Sequence, residues 1–348
     1  MTTGDGTASR GRVARRLKRR RKSRLRLMGI SVVGVLLIAG SGVAASLYLL
    51  QPSRHFRAAH LPVLANPQSS GAPGDAASPL QPQLSVPKPK DGSFNVLFLG
   101  IDSLAPSDPG HTDTIIVVHV DLVTHQYNAI SIPRDTRMYL PGYGMTKITH
   151  AQYLGTVNGG LAQGIKDIVQ AVSNFTGLQV NYYAETSFGG LESLVDAVGG
   201  IDLYFPSEVN LQTFNVPPLP AGEHHLDGLQ VHEVVGERKS LPNGDFGRQK
   251  VQEEVLLALG HKILSPENLF HISSLLESLQ EYLVATNMTT ADAVTIALNM
   301  QKCSSAEVHY YQVPGHGATM PDPVVGTNLD YWIPNLPAVQ QIIKDHFE

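Results

Sequence analysis

Two aspartates and an arginine stand where strand-like runs of this chain end. Asp102 closes FNVLFLGID, Asp113 lies at the entrance of TDTIIVVHVD, and Arg134 with Asp135 follows YNAISIP. Open α/β sheets place their ligands at strand ends. Hard carboxylate oxygens suit Mg2+, which takes one or two of them together with substrate phosphate oxygens. A guanidinium beside them binds phosphate in bidentate fashion. Each residue also has a plain structural role open to it: Asp102 as a turn former, Asp113 as a hydrogen-bonded strand residue, Arg134 as the partner of Asp135. Lys147 is either a second phosphate contact or a solvated charge. Later, Arg248 falls in GDFGRQ, at the start of a helical pattern. Helix N-termini favour anions, so a cation there gains nothing from the dipole. Its placement makes sense if an anion binds between Arg248 and the helix start.

The elements that hold these groups follow from periodicity. Phe94–Leu99 reads as a short buried strand, Thr114–Val120 as a β-branched central strand, and Tyr127–Ile132 as the next, closed by Pro133. The tight link between the last two predicts a hairpin, and with it a mixed sheet. Further strands are expected at Tyr182–Thr186, Ile201–Phe205 and Val308–Val313. Helical spacing covers Gly160–Phe175, Ser187–Val198, Gly247–Leu264, Leu269–Val284, Thr290–Met300 and the C-terminus. Pro141–Gly144 and Asn210–Gly222 read as loops. The fold class is α/β.

Upstream of this body the composition changes twice. Eleven Lys and Arg crowd between Arg10 and Arg26, although the whole 348-residue chain carries a net charge of −4. Met28–Leu50 then runs without a charge, long enough at ~1.5 Å per residue to cross a hydrocarbon core of ~30 Å. The basic side stays cytoplasmic, so the body lies outside. Val43-Ala44-Ala45 resembles a signal-peptide cleavage site, but apolar residues continue past it to Leu50, which favours a retained anchor. Gln51–Asp91 is rich in Pro, Ser, Gly and Ala, and reads as an extended, mobile stalk. The expected organisation is therefore 1–27 as a basic cytoplasmic segment, 28–50 as one transmembrane helix, 51–93 as a linker and 94–348 as the catalytic domain. The single Cys303 excludes an intrachain disulfide framework. No basic–aromatic patch in the body suggests nucleic acid.

Several motifs occur together and in order: NVLFLGID (95–102), TDTIIVV (112–118), SIPRDT (131–136), LPGYG (140–144) with KITHAQYLG (147–155), LVDAVGGIDLYFP (194–206), AGEHHLDG (221–228) and ERKSLPNGDFGRQ (237–249). With them the chain resembles the LytR-CpsA-Psr proteins of bacterial cell envelopes. The resemblance implies a three-layer α/β/α sandwich with a mixed central sheet and an apolar pocket for a polyprenyl tail. It implies a Mg2+-dependent phosphotransferase that moves a glycopolymer from a polyprenyl-pyrophosphate carrier to a peptidoglycan acceptor, at the cell membrane. Asp102 and Asp113 resemble the metal-site aspartates, and Arg134, Arg238 and Arg248 the phosphate-binding arginines. Gln252 matches a glutamine of the family's GRxxRQ pattern.

The chain also departs from that pattern. Gly236, Val251 and His111 stand where the family has arginine. Each absent guanidinium removes a charge-assisted contact worth ~1.5–3 kcal/mol. Two further functions therefore stand beside transfer: a non-catalytic binder or scaffold for polyprenyl-linked precursors, and a pyrophosphatase acting on the same carriers with water as nucleophile.

Overall fold

The structure is a computed structural model that describes residues 51–67, 90–102, 109–211, 217–241, 244–263, 283–300 and 308–347, with 265 and 268. The apolar run 28–50, most of the expected helix 269–284 and linker residues 68–89 lie outside the described residues. No helix among the described residues is long and apolar enough to cross a membrane.

The body starts earlier than expected, with a short helix α1 (Pro52–His55) and a 3-10 turn (Ala58–His60). The first part of the linker is packed, not extended. Phe56 is 1% exposed and lies against Phe94 and Tyr182, and Ala65 bridges to Val180. The physical reason is local composition: Phe56, Leu61 and Ala65 give these residues enough apolar surface to bury, which the proline count alone concealed.

Strands β1 (Ser93–Asp102), β2 (His111–Asp121) and β3 (Gln126–Ser131) form an antiparallel meander. The β2–β3 hairpin turns where the Asp121 carboxylate accepts the Val123 and Thr124 N–H groups and His125 takes a positive φ of 56°. Leu140 and Gly144 bracket a tight turn, so the expected loop is the tip of a hairpin, β4 (Arg137–Leu140) with β5 (Gly144–Lys147). Helices α2 (His150–Gly159) and α3 (Leu161–Thr176) precede β6 (Tyr182–Ser187), which joins β1 in parallel.

Ser187 caps helix α4 (Phe188–Ala197), its hydroxyl accepting the Gly190 N–H at 3.1 Å. A hairpin of β7 (Ile201–Phe205) and β8 (Gly222–Leu226) follows, then helices α5 (Gly228–Gly236) and α6 (Asp245–Ile263). Strand β9 (Ala285–Thr286), helix α7 (Thr290–Met300) and β10 (Val308–Gln312) lead to a C-terminal hairpin, β11 (Gly315–Pro321) with β12 (Asn328–Pro334), and helix α8 (Leu336–His346). Helix α2, β8, α5 and the C-terminal hairpin carry too weak a periodicity to stand out in the sequence.

The central sheet runs β10-β3-β2-β1-β6-β9 and is mixed, as the hairpin predicted. Leu97, Leu99, Ile115, Val117 and Ile130 pack on Ile168, Val169 and Val172 of α3 and on Val339 and Ile343 of α8. Each such side chain contributes ~1.5–3 kcal/mol on burial. A second apolar cluster joins Leu194 and Val195 of α4, Val231 and Val234 of α5, and Val255 and Leu259 of α6. Val251 of α6 is buried in the same cluster.

Candidate active site

The pairing of β1 with β2 contains one irregularity. Gly100 pairs with Thr114 and Ile101 with Thr112, so Asp113 is an extra residue in β2, a β-bulge. Side chains normally alternate along a strand, and a bulge re-aims them. Here Thr112 turns towards α2, where its hydroxyl donates to Gln152. Asp113 turns towards the arginines.

Arg134 Nη1 donates to Asp113 Oδ1 at 2.5 Å. Arg248 Nη1 stands 3.6 Å and Arg238 Nη2 3.8 Å from Oδ2 of the same carboxylate. Residues 113, 134, 238 and 248 come from four separate segments, and one buried carboxylate draws their three cations together. Asp113 is 7% exposed and Arg248 1%, whereas the Arg238 side chain is 41% exposed at the rim. Three guanidiniums gathered at one place suit a polyanion. The anion beside Arg248 that its helix position called for is, in part, Asp113 itself.

Local structure presents each arginine. Arg134 follows Pro133 at the end of β3, and its neighbour Asp135 accepts from Lys147 at 2.7 Å while standing 3.9 Å from Arg134 Nε. Lys147 is therefore bound to Asp135 and not to Asp113. Arg238 sits on a loop organised by Glu237, whose Oε1 accepts the N–H groups of Arg238, Lys239 and Ser240. The sequence reading passed over that role of Glu237, although an acidic residue ahead of a run of free N–H groups is its signal. Gln249, also passed over, accepts from Ser131 at 3.1 Å and ties α6 to β3 beside Arg248.

Asp102 is the last residue of β1 and is exposed, paired in register with His111. Among the described residues no group of three or more His, Cys, Asp or Glu is arranged to hold a metal ion. His111 packs its ring against Tyr153, at 4.7 Å between centroids.

An apolar cavity of about 140 Å³ adjoins the cluster. Thr114, next to Asp113, and Gln252, one turn beyond Arg248, line it together with Phe98, Leu194, Val255 and Leu259. Gln252 donates to the Val235 carbonyl at 3.1 Å, so its amide joins α6 to α5 at the cavity wall. A charged cluster thus meets an apolar hole at one strand end.

The chain resembles known proteins over most of its length. The LytR_cpsA_psr family model matches residues 67–348, and the chain belongs to that family. A Bacillus mycoides (strain KBAB4) protein named polyisoprenyl-teichoic acid–peptidoglycan teichoic acid transferase TagU is 30% identical over 291 residues, 83% of this chain and 86% of its own length. The crystal structure of Bacillus subtilis TagV superposes with a TM-score of 0.62 at 28% identity, covering 73% of this chain and 96% of that one. A structure of TagT bound to LIIa-WTA gives a TM-score of 0.59 at 26% identity, covering 73% and 89%.

Proposed function

We propose that this LytR_cpsA_psr family member is a membrane-anchored transferase that moves a glycopolymer from a polyprenyl-pyrophosphate carrier to peptidoglycan. The observation that carries it is the convergence of Arg134, Arg238 and Arg248 on Asp113, whose neighbour Thr114 lines an apolar cavity. A lipid pyrophosphate has the matching shape: a doubly charged head and an apolar tail. The names of the relatives point the same way.

In the transfer, an acceptor hydroxyl of peptidoglycan attacks the phosphorus that carries the polymer. A phosphodiester forms, the bond to the polyprenyl phosphate breaks, and the hydroxyl proton is released. Charge builds on the leaving phosphate, and fixed guanidiniums stabilise it without reorganising. The cavity holds the tail and so orients the in-line attack. Arg248, already buried, loses no further solvent on binding, while Arg238 meets the head group from the rim.

Hard carboxylate oxygens are the donor type that Mg2+ takes, one or two of them, with phosphate oxygens completing its shell. Asp102 and Asp113 are the residues that would hold it. When bound, it would neutralise pyrophosphate charge.

Our reading of the whole chain is a three-layer α/β/α body behind a single anchor at 28–50, with the N-terminus cytoplasmic and the body outside. The test is to incubate the full chain in detergent micelles with a polyprenyl-pyrophosphoryl glycan, Mg2+ and peptidoglycan. Polymer joined to the wall supports transfer. Free phosphorylated sugar would replace the reading with hydrolysis, and intact bound lipid would replace it with a scaffold.

A further inference from the structure

Three buried polar residues lie behind the bulge. Thr112 Oγ1 donates to Gln152 Oε1 at 2.5 Å, and Gln152 Nε2 donates to Glu185 Oε2 at 2.6 Å. Thr112 and Glu185 are 0% exposed and Gln152 1%. Glu185 is the register partner of Leu99, on the face of the sheet that packs against α3. Polar groups in such a place cost free energy unless they are bonded. Glu185 Oε1 has no hydrogen-bond partner among the described residues, so the cost is only partly offset. Such a chain needs a reason.

The reason lies at its far end. Regular alternation would put Thr112 on the side of Thr114, which lines the cavity, and Asp113 on the side of Ile115, in the core. The bond to Gln152 holds Thr112 on the core side and leaves Asp113 facing the arginines. We propose that Gln152 and Glu185 are positioning residues for Asp113: they lock Thr112 in place and so aim the Asp113 carboxylate at Arg134, Arg238 and Arg248.

This inference rests on the transferase reading for its activity but not for its geometry. Gln152 is oriented by Glu185, which accepts from its nitrogen and leaves its oxygen to accept from the Thr112 hydroxyl. Burial pushes the Glu185 carboxyl up to about 7, opposed by the Gln152 hydrogen bond. Oε2 accepts from Gln152 in either protonation state, so the chain survives titration.

The experiment compares Thr112→Val, Thr112→Ser, Glu185→Leu and Glu185→Gln in the full chain, using transfer kinetics and a crystal structure of Thr112→Val. Thr112→Val keeps the shape and removes the donor. It should lower kcat roughly 10–100-fold with KM for the lipid carrier within about 2-fold. Thr112→Ser restores the donor and should recover most of the rate. Glu185→Leu should behave like Thr112→Val, and Glu185→Gln, which still accepts, like wild type. Wild-type kinetics in Thr112→Val would overturn the proposal, and wild-type kinetics in Glu185→Leu alone would remove Glu185 from it. If the wild-type chain transfers nothing, the transferase reading fails. The crystal structure then still decides: Asp113 displaced from Arg134 supports positioning, and Asp113 unmoved refutes it.

Discussion

Arg134 Nη1 lies 2.5 Å from the Oδ1 of Asp113, the extra residue of the β1–β2 bulge. A backbone irregularity and a guanidinium thus meet in one ion pair, with Arg238 and Arg248 drawn to the other oxygen. Removing the carboxylate should therefore harm both fold and chemistry. Asp113→Asn leaves Arg248, 1% exposed, beside a neutral amide. Loss of one partner of a buried pair costs about 3 kcal/mol or more. Urea unfolding of Asp113→Asn should show that loss, together with transfer reduced at least about 100-fold. Undiminished transfer would remove Asp113 from the site.

Burial separates the roles of two arginines. Arg238, 41% exposed, supports little structure, so Arg238→Ala should change stability by no more than about 0.5 kcal/mol. It should still lower kcat/KM about 10–100-fold, the value of one charge-assisted contact. Arg248→Lys should lose stability as well, because an ammonium cannot reproduce a buried planar fork. Thermal melts beside kinetics check both. Equal melting losses in the two variants would contradict the assignment of rim and interior.

The cavity gives a chain-length prediction. Ala184 lines it from β6, and Ala184→Phe would fill part of its ≈ 140 Å³. Turnover of carriers with long prenyl chains should fall severalfold or more, whereas an analogue with a truncated tail should be turned over as by wild type. Equal inhibition of both would place the tail elsewhere.

Phe56 tests where the body begins. It is 1% exposed, with its ring centroid 4.4 Å from that of Phe94. Phe56→Ala should destabilise the body by about 3–5 kcal/mol. A free stalk residue would cost nothing measurable in the same denaturant titration.

Stability should also depend on pH through Glu253, buried on α6. Burial pushes its carboxyl up to about 8, with Glu254 adding repulsion and Lys250 opposing. The folded chain keeps a proton there that the unfolded chain releases from 4.5 upward. The contribution is complete below 4.5 and is lost as pH rises to about 8. Glu253→Gln abolishes that loss, so its stability relative to wild type should improve from about pH 5 to pH 8 and level off above that. A gap independent of pH would show that Glu253 titrates normally.

The sheet was legible because its strands are continuous apolar runs, and α3 because its helical periodicity is strong. Asp113, Arg134 and Arg248 were legible from residue type at strand and helix ends. Arg238 and Gln252 came from the motif resemblance. The bulge was not legible, since TDTIIVV reads as a regular strand and only the pairing partner reveals the extra residue. The pairing of Lys147 with Asp135 was not legible, because Asp135 was assigned to Arg134. The packing of Phe56 was hidden by the prolines around it. The roles of Gln152 and Glu185 were out of reach, because they depend on α2 and β6 meeting behind β2.

The most direct measurement is a crystal structure of the chain with a polyprenyl pyrophosphate bound. The account predicts pyrophosphate oxygens within hydrogen-bonding distance of the Arg134, Arg238 and Arg248 guanidiniums, with the prenyl tail running past Thr114 and Gln252 into the cavity lined by Phe98, Val255 and Leu259. A head group bound away from Asp113, or a tail lying outside that cavity, would contradict it.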